Sequence, residues 1–338
     1  MAPPAANYTS GEEDSAVSTS APSPAQFSRE TSADGAFVRQ SNAFCDRITA
    51  DGSSGFRAEP GRYHLYVSLA CPWAHRSVIV RKLKKLEDVV SMSVVDPIRD
   101  ERGWAFRDSA DGSFGPDPVN GFAFLSEAYL ATDPSYTGRY TVPCVWDRAT
   151  RRLVTNDFPS ISTQLATEFE AFADRSVDLY PVPLRAEIDA INAVVYENVN
   201  NGVYKAGFAA SQAAYESAFD ALFSTLDELE RRLAQQRYLV GKQLTEADIR
   251  LFTTLVRFDA VYYVHFKCNL RRLVDYPHLW AYARDLYQTP GFGETVNFDH
   301  IKRHYYMTHD KLNPSRIVPK GPEVDWLAPT PPRPALNL

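Results

Sequence analysis

The sequence predicts an α/β domain followed by an all-helical one, and a change of texture along the chain carries that prediction. Up to about residue 172, strand-like alternation trades places with helical spacing: YHLYVSL is followed by PWAHRSVIVRKLKKL and then by VVSMSVV. From about Pro183 the apolar spacing is helical almost throughout. In SQAAYESAFDALFSTLDELERRLAQQ, residues Tyr215, Ala218, Phe219, Leu222, Phe223, Leu226, Leu229 and Leu233 recur every three to four places on one face. A length of 338 residues, 44% hydrophobic and 23% charged, supplies two cores of ordinary size.

Taken in order, residues 1–35 are Ala, Pro, Ser, Thr and Gly with scattered acids. Such a segment buries too little apolar surface to offset its ordering entropy and is expected to be disordered. An arm over 36–62 leads into the α/β domain, 63–172. Its opening strand, helix and strand form a β-α-β unit, hence a parallel pair with a right-handed crossover. Residues 98–140, with DERGWAF, DGSFGPDPVNGF and DPSYTGRYT, read as a long insertion, and loops of that size in a compact domain are usually functional. VPCVWDRATRRLVTND reads as a hairpin turning near Ala149, and a helix from about Asp157 to Phe169 closes the domain. β-α-β followed by β-β-α is the thioredoxin arrangement. In the helical domain, 173–312, Thr245 caps a helix and Asp248 returns a bond to the cap, with Leu244 and Ile249 suited to a hydrophobic staple. The Pro-rich tail, 313–338, is expected to run extended over the surface.

A net charge of −6 and the lack of any dense Lys/Arg block argue against nucleic acid or an anionic membrane as partner. No apolar run reaches the roughly 20 residues of a membrane span, and the N-terminus does not read as a secretory signal. A reducing, cytoplasmic setting is the default. The four cysteines, Cys45, Cys71, Cys144 and Cys268, show neither metal-ligand nor disulfide-framework spacing. His300 and His304 stand i, i+4 with His309 beyond, but no carboxylate or third ligand sits at a metal-binding spacing, so no metal is expected. The run RKLKKL reads as the solvated face of a helix.

Cys71 is different. It stands between a strand and a helix that opens with Pro72, where unpaired backbone N–H groups and the positive end of the helix dipole favour a thiolate. Cysteines so placed have their pKa lowered from about 8.5 into the range of about 3.5–7.5. His75 and Arg76, one turn on, either add positive potential or are solvated surface; Trp73 either lines the site or packs between the domains. Pro143, in TVPCV, has the place of the cis-proline that faces the cysteine in thioredoxin-like folds. Ala74 occupies the position of the second thiol of a dithiol oxidoreductase. Cys71 can therefore attack a disulfide or thioether sulfur, but an external thiol has to discharge the adduct.

These residues, together with YHLYVSLACPWAHR, SVVDP followed by GWAF, YTGRYTVPCVWD, NNGVYKAGFA, LTEADIRLFTTLVRFD, FKCN and VNFDHIKRHYYMTHDKLNP, resemble the glutathione transferase superfamily. The closer resemblance is to its Xi class, the glutathionyl-hydroquinone reductases, and runs from about Gln40 to Trp326. It implies a thioredoxin-like domain joined to a helical glutathione-transferase C-terminal domain, a homodimer, and reduction of a glutathionyl-hydroquinone to hydroquinone. Cys71 matches the nucleophile. Tyr204 and Tyr305, the latter in preference to Tyr306, match tyrosines that hold the hydroquinone oxygens. Trp104 matches a residue covering the bound thiol and Arg139 a cation for its carboxylate. Val142, before Pro143, offers backbone groups to the peptide portion. Where the superfamily has N-E-S for the γ-glutamyl end of glutathione, this chain has Asn156-Asp157-Phe158 followed by Pro159. Asp157 keeps a carboxylate, but the serine hydroxyl is gone. An Arg-rich, Lys-poor composition is common in high-GC actinobacteria, many of which use mycothiol, so both glutathione and mycothiol stand as co-substrates. A thioltransferase or dehydroascorbate reductase of the same fold, and a non-catalytic binder of aromatic ligands, are the alternative readings.

Overall fold

The structure, a computed structural model, describes residues 30–330. The expectations for residues 1–29 and 331–338 lie outside the described residues. An arm carries two short parallel strands, β1 (Ile48–Thr49) and β2 (Phe56–Arg57), before the main sheet. That sheet takes β3 (Tyr63–Val67), β4 (Ser91–Val94), β5 (Cys144–Asp147) and β6 (Arg152–Thr155) in the order β4-β3-β5-β6. Strands β3 and β4 are parallel, with His64 opposite Ser91, and are joined by α1 (Pro72–Leu83); β5 lies antiparallel to both β3 and β6.

All five residues of β3 are buried, which a strand covered on both faces requires. Tyr63, Leu65 and Val67 pack with α1 and α3 (Phe158–Thr167). Tyr66 points the other way, against Trp104, Trp146 and Tyr129 of α2 (Leu125–Thr132). Helix α2 corrects one expectation: residues 98–140, read as an insertion, contain the helix that closes the second face of the sheet. His64, on that face too, bonds Ser91 and Ser93 at 2.8 and 2.9 Å, and burial holds its pKa down to about 4.

Nine consecutive residues of α1, Pro72 to Val80, are buried because the helix is wedged between the sheet and the helical domain. The reading of RKLKKL as a solvated face holds for Lys82 and Lys85, which are exposed, but not for Lys84: just past the helix, it is 1% exposed, its Nζ donating to Glu170 and to the Val177 carbonyl. Neither are His75 and Arg76 surface groups. Both are 0% exposed and bond across the domain boundary, His75 Nε2 to Thr295 Oγ1 at 2.8 Å and Arg76 Nη2 to Asn200 Oδ1 at 2.7 Å.

The helical part comprises α4 (Arg185–Val195), α5 (Gly202–Gly207), α6 (Gln212–Leu233), α7 (Glu246–Arg257), α8 (Tyr263–His265), α9 (Pro277–Tyr287) and α10 (Phe298–Thr308). Single π-helical turns join α4 to α5 and α7 to α8. They shift the register by one residue per turn, a device frequent near functional sites; the second ends at Tyr262 and the first lies just before α5, which carries Tyr204. At the start of α7 the Thr245–Asp248 capping box forms, with Asp248 also accepting from Leu239 N and Tyr282 Oη at 2.8 Å each.

Residues 30–35 fold as well, contrary to the expectation for the whole N-terminal segment. Thr31 bridges Phe37, Gly35 sits at φ +87° against Ser211, and Glu30 is 2% exposed. The described part of the tail returns to α9, where Trp326 packs edge-on against Trp280, with ring centroids 4.8 Å apart.

Candidate active site

The arm, the mouth of α1, the segment before β5, α5 and α10 enclose a cleft of about 970 Å³, its open mouth included. Cys71 lies at its floor in the N-cap position of α1, with extended backbone (φ −77°, ψ 120°). Its Sγ donates to the Val142 carbonyl at 3.4 Å, and the Val142–Pro143 peptide is cis. Burial raises the thiol above its ordinary value. The backbone N–H groups of Ala74 and Trp73, and the charges of Arg257 and Arg39, pull the other way without overcoming it. The helix terminus acts with the expected sign, but the lowered pKa does not result, because removing an anion from water costs more than these dipoles return. Alkylation of the resting enzyme at Cys71 is therefore expected to keep accelerating with pH up to and beyond about 8.5, the value for a free thiol. A plateau below pH 7 in an iodoacetamide rate profile would contradict this.

Tyr204, on α5, and Tyr305, on α10, meet hydroxyl to hydroxyl in the cleft, and Tyr305 is bonded behind by Tyr262 at 3.0 Å. Burial lifts all three phenols above their ordinary range. They are neutral at physiological pH and can both donate and accept. Trp104 also lines the cleft, stacked on His304 with centroids 4.9 Å apart. Burial and the neighbouring Arg99 charge push His304 down to about 3, so this imidazole is neutral. Arg139 Nη1 donates to Glu30 Oε1 at 2.7 Å, so a carboxylate of the chain itself lies against that cation.

The structure thus brings Cys71, Trp104, Arg139, Val142, Tyr204 and Tyr305 onto one cleft. Pro143 and Asp157 stand beside it, not among its lining residues. Asp157 is the N-cap residue of α3, and its Oδ1 accepts from Asn42 Nδ2 of the arm at 2.7 Å. Phe158 does line the cleft, its ring 4.5 Å from Trp73. Trp73 in turn contacts Tyr196 and Tyr204 of the helical domain, so it both lines the cleft and packs between domains. Sequence reasoning missed Glu30, Arg39 and Arg99. The first two lie in segments without helical or strand periodicity, and nothing local marks an arginine that the fold will bury.

Comparison with known proteins identifies the family. Residues 70–168 match the glutathione S-transferase N-terminal domain family, and residues 212–285 the C-terminal domain family. The chain is 51% identical over 297 residues to the glutathionyl-hydroquinone reductase YqjG of Escherichia coli K12, covering 86% of this chain and 90% of the relative. The glutathione-bound structure of YqjG superposes with a TM-score of 0.82 at 50% identity, covering 88% of this chain and 97% of that one. The Xi glutathione S-transferase from Phanerochaete chrysosporium superposes with a TM-score of 0.84 at 48% identity, covering 89% and 97%. With a thioredoxin-like half, a helical half and a cleft floored by cysteine between them, this chain belongs to the glutathione transferase superfamily, in the Xi class of the glutathionyl-hydroquinone reductases.

Proposed function

We propose that the enzyme cleaves S-glutathionyl hydroquinones to free hydroquinones through a mixed disulfide on Cys71. One observation carries the reading: a lone sulfur shares a cleft with two phenol hydroxyls while Ala74, 0% exposed, has the place of a resolving thiol. The Cys71 thiolate attacks the sulfur attached to the ring, forming an S–S bond and breaking the S–C bond. The S–C electron pair stays with the ring, whose carbon gains a proton. A second thiolate then attacks the mixed disulfide, leaves as the free disulfide and returns Cys71. Tyr204 and Tyr305 hold the ring oxygens, a task for groups that donate and accept. Trp104 covers the bound thiol, Arg139 takes its carboxylate by exchange with Glu30, the backbone of Val142, before Pro143, holds its peptide part, and Asp157 serves its γ-glutamyl end.

Two thiols compete for the role. Phe158 removes a hydroxyl that would help hold a γ-glutamyl carboxylate, and Asp157 is engaged by Asn42, which favours mycothiol. Arg99 and Arg139 around the cleft favour a thiol with carboxylates, which glutathione has and mycothiol lacks. We assign glutathione on that balance. Acid-quenching the enzyme after mixing with a glutathionyl-hydroquinone, then weighing the intact protein, is expected to show one glutathione on Cys71. In a parallel turnover assay mycothiol is expected to be the slower reductant, and faster turnover with mycothiol would reverse the assignment. Alkyl disulfides cleaved as fast as the aromatic adduct would point to a general thioltransferase. A homodimer in a reducing cytoplasm belongs to the same proposal and rests on the family relationship.

A further inference from the structure

Arg39, on the arm, lines the cleft among aromatic rings. Its guanidinium lies 4.8 Å from the ring centres of both Trp73 and Tyr204 and 5.3 Å from Phe37. One edge is fixed, with Nε donating to Asn201 Oδ1 at 2.9 Å. The other is not: although the residue as a whole is partly exposed, Nη2 is buried and has no hydrogen-bond partner among the described residues. Gln40, the next residue and also on the cleft wall, has its Nε2 in the same condition. Buried donors are nearly always paired, and an unpaired donor on a charged group costs more than one on a neutral group. Arginine carries only donors, so what suits Nη2 is an acceptor, best an anionic oxygen.

The surroundings say which oxygen. Arg39 is walled by flat rings and shares Tyr204 with the hydroxyl chain, whereas Arg139 lies against the carboxylate of Glu30 and Trp104 against His304. The first is a slot for a planar ring, the second for the thiol's carboxylate. In the keto tautomer of the adduct, the ring hydroxyl has given its proton to the sulfur-bearing carbon. When Cys71 takes the sulfur from that tautomer, the S–C electron pair restores the aromatic ring and the charge ends on the former carbonyl oxygen as a phenolate. That oxygen needs a cation, and the tyrosines are neutral.

We propose that Arg39 binds a ring oxygen of the aromatic substrate beside Tyr204 and stabilises the phenolate released as Cys71 takes the sulfur. The N-terminal arm is then part of the active site. The inference rests on the proposed hydroquinone reductase reaction, and its test keeps the two separable. In the full-length enzyme, Arg39→Met is expected to lower kcat/KM for an S-glutathionyl hydroquinone about 10- to 100-fold, the range for a lost hydrogen bond to a charged group. The loss for a mixed disulfide of glutathione and 2-mercaptoethanol, which has no ring oxygen, should be at least about tenfold smaller. Arg39→Lys, which keeps the cation and gives up the planar fork, should fall between. Free hydroquinone, titrated into the Cys71→Ser protein with Trp fluorescence as readout, should bind about tenfold or more weakly once Arg39→Lys is added. Equal losses on both substrates, or unchanged hydroquinone affinity, would overturn the role of Arg39. Wild-type enzyme that discharges the alkyl disulfide but leaves the aromatic adduct intact would instead overturn the reaction on which the role rests. Should Arg39→Met fail to fold, the lysine variant and the hydroquinone titration decide.

Discussion

Cys71→Ser is expected to lower turnover of an S-glutathionyl hydroquinone by on the order of a thousandfold or more, a typical consequence of removing a nucleophile that acts covalently. The fold should not suffer. Cys71 makes no side-chain cap bond to α1, and serine is a preferred N-cap whose hydroxyl can accept from the first-turn N–H groups. Thermal stability should stay the same or rise slightly, which separates loss of chemistry from loss of structure. Hydroquinone release measured by chromatography gives the rate; the unfolding midpoint gives the control. Affinity for free hydroquinone should persist, since Tyr204, Tyr305 and Arg39 remain. Retention of more than about a tenth of wild-type turnover would mean that Cys71 is not the group that takes the sulfur, and a differently catalysed reaction would replace this reading.

Arg257→Met is expected to destabilise the folded enzyme by roughly 3–5 kcal/mol and to slow alkylation of Cys71 at a given pH. Arg257 is the last residue of α7 and is 0% exposed. Its guanidinium spans the domain boundary: Nε donates to Ala70 O at 2.9 Å, Nη2 to Leu69 O at 3.0 Å, and Nη1 to Thr253 O at 2.7 Å and His75 Nδ1 at 3.0 Å. Because arginine cannot accept, His75 must accept at Nδ1 and carry its proton on Nε2, where it donates to Thr295. Burial and the adjacent Arg257 charge hold His75 neutral, well below its ordinary value. Methionine fills much of the volume but leaves these acceptors without a donor. The two carbonyls it would orphan immediately precede Cys71, so the loop that presents the sulfur loosens as the domain contact weakens. The same charge pulls the Cys71 pKa down, so its loss raises that pKa further and shrinks the thiolate fraction. Urea unfolding and iodoacetamide kinetics check the two halves. A cost below about 1 kcal/mol with unchanged alkylation would show that the helical domain does not hold the Cys71 loop.

How much of this was legible beforehand depended on whether the signal was local. The β-α-β unit, the hairpin and the helical half follow from spacing that repeats over neighbouring residues, and each is present. Cys71 stood out because strand, thiol, proline and helix follow one another directly. Tyr204 and Tyr305 were named only through resemblance: they are 101 positions apart, and 18 tyrosines offer no way to pair two of them. Residues 98–140 were misread because the helix Leu125–Thr132 is short and sits among Gly- and Asp-rich turns. Lys84 was misread as solvated, and His75 and Arg76 were left open between surface and site, because charge suggests solvent unless a partner is known, and the partners Glu170, Thr295 and Asn200 lie 86 to 220 residues away.

By itself, then, the sequence determined the architecture and the thiol at a helix mouth with alanine in place of a second cysteine three residues on, because each depends on residues that are neighbours in the chain. Tertiary structure alone decided the protonation of that thiol, the phenol chain of Tyr204, Tyr305 and Tyr262, and the entry of Glu30 and Arg39 into the cleft. Those outcomes are set by desolvation and by charges brought together across hundreds of residues, and neither quantity exists until the two domains have closed on the arm.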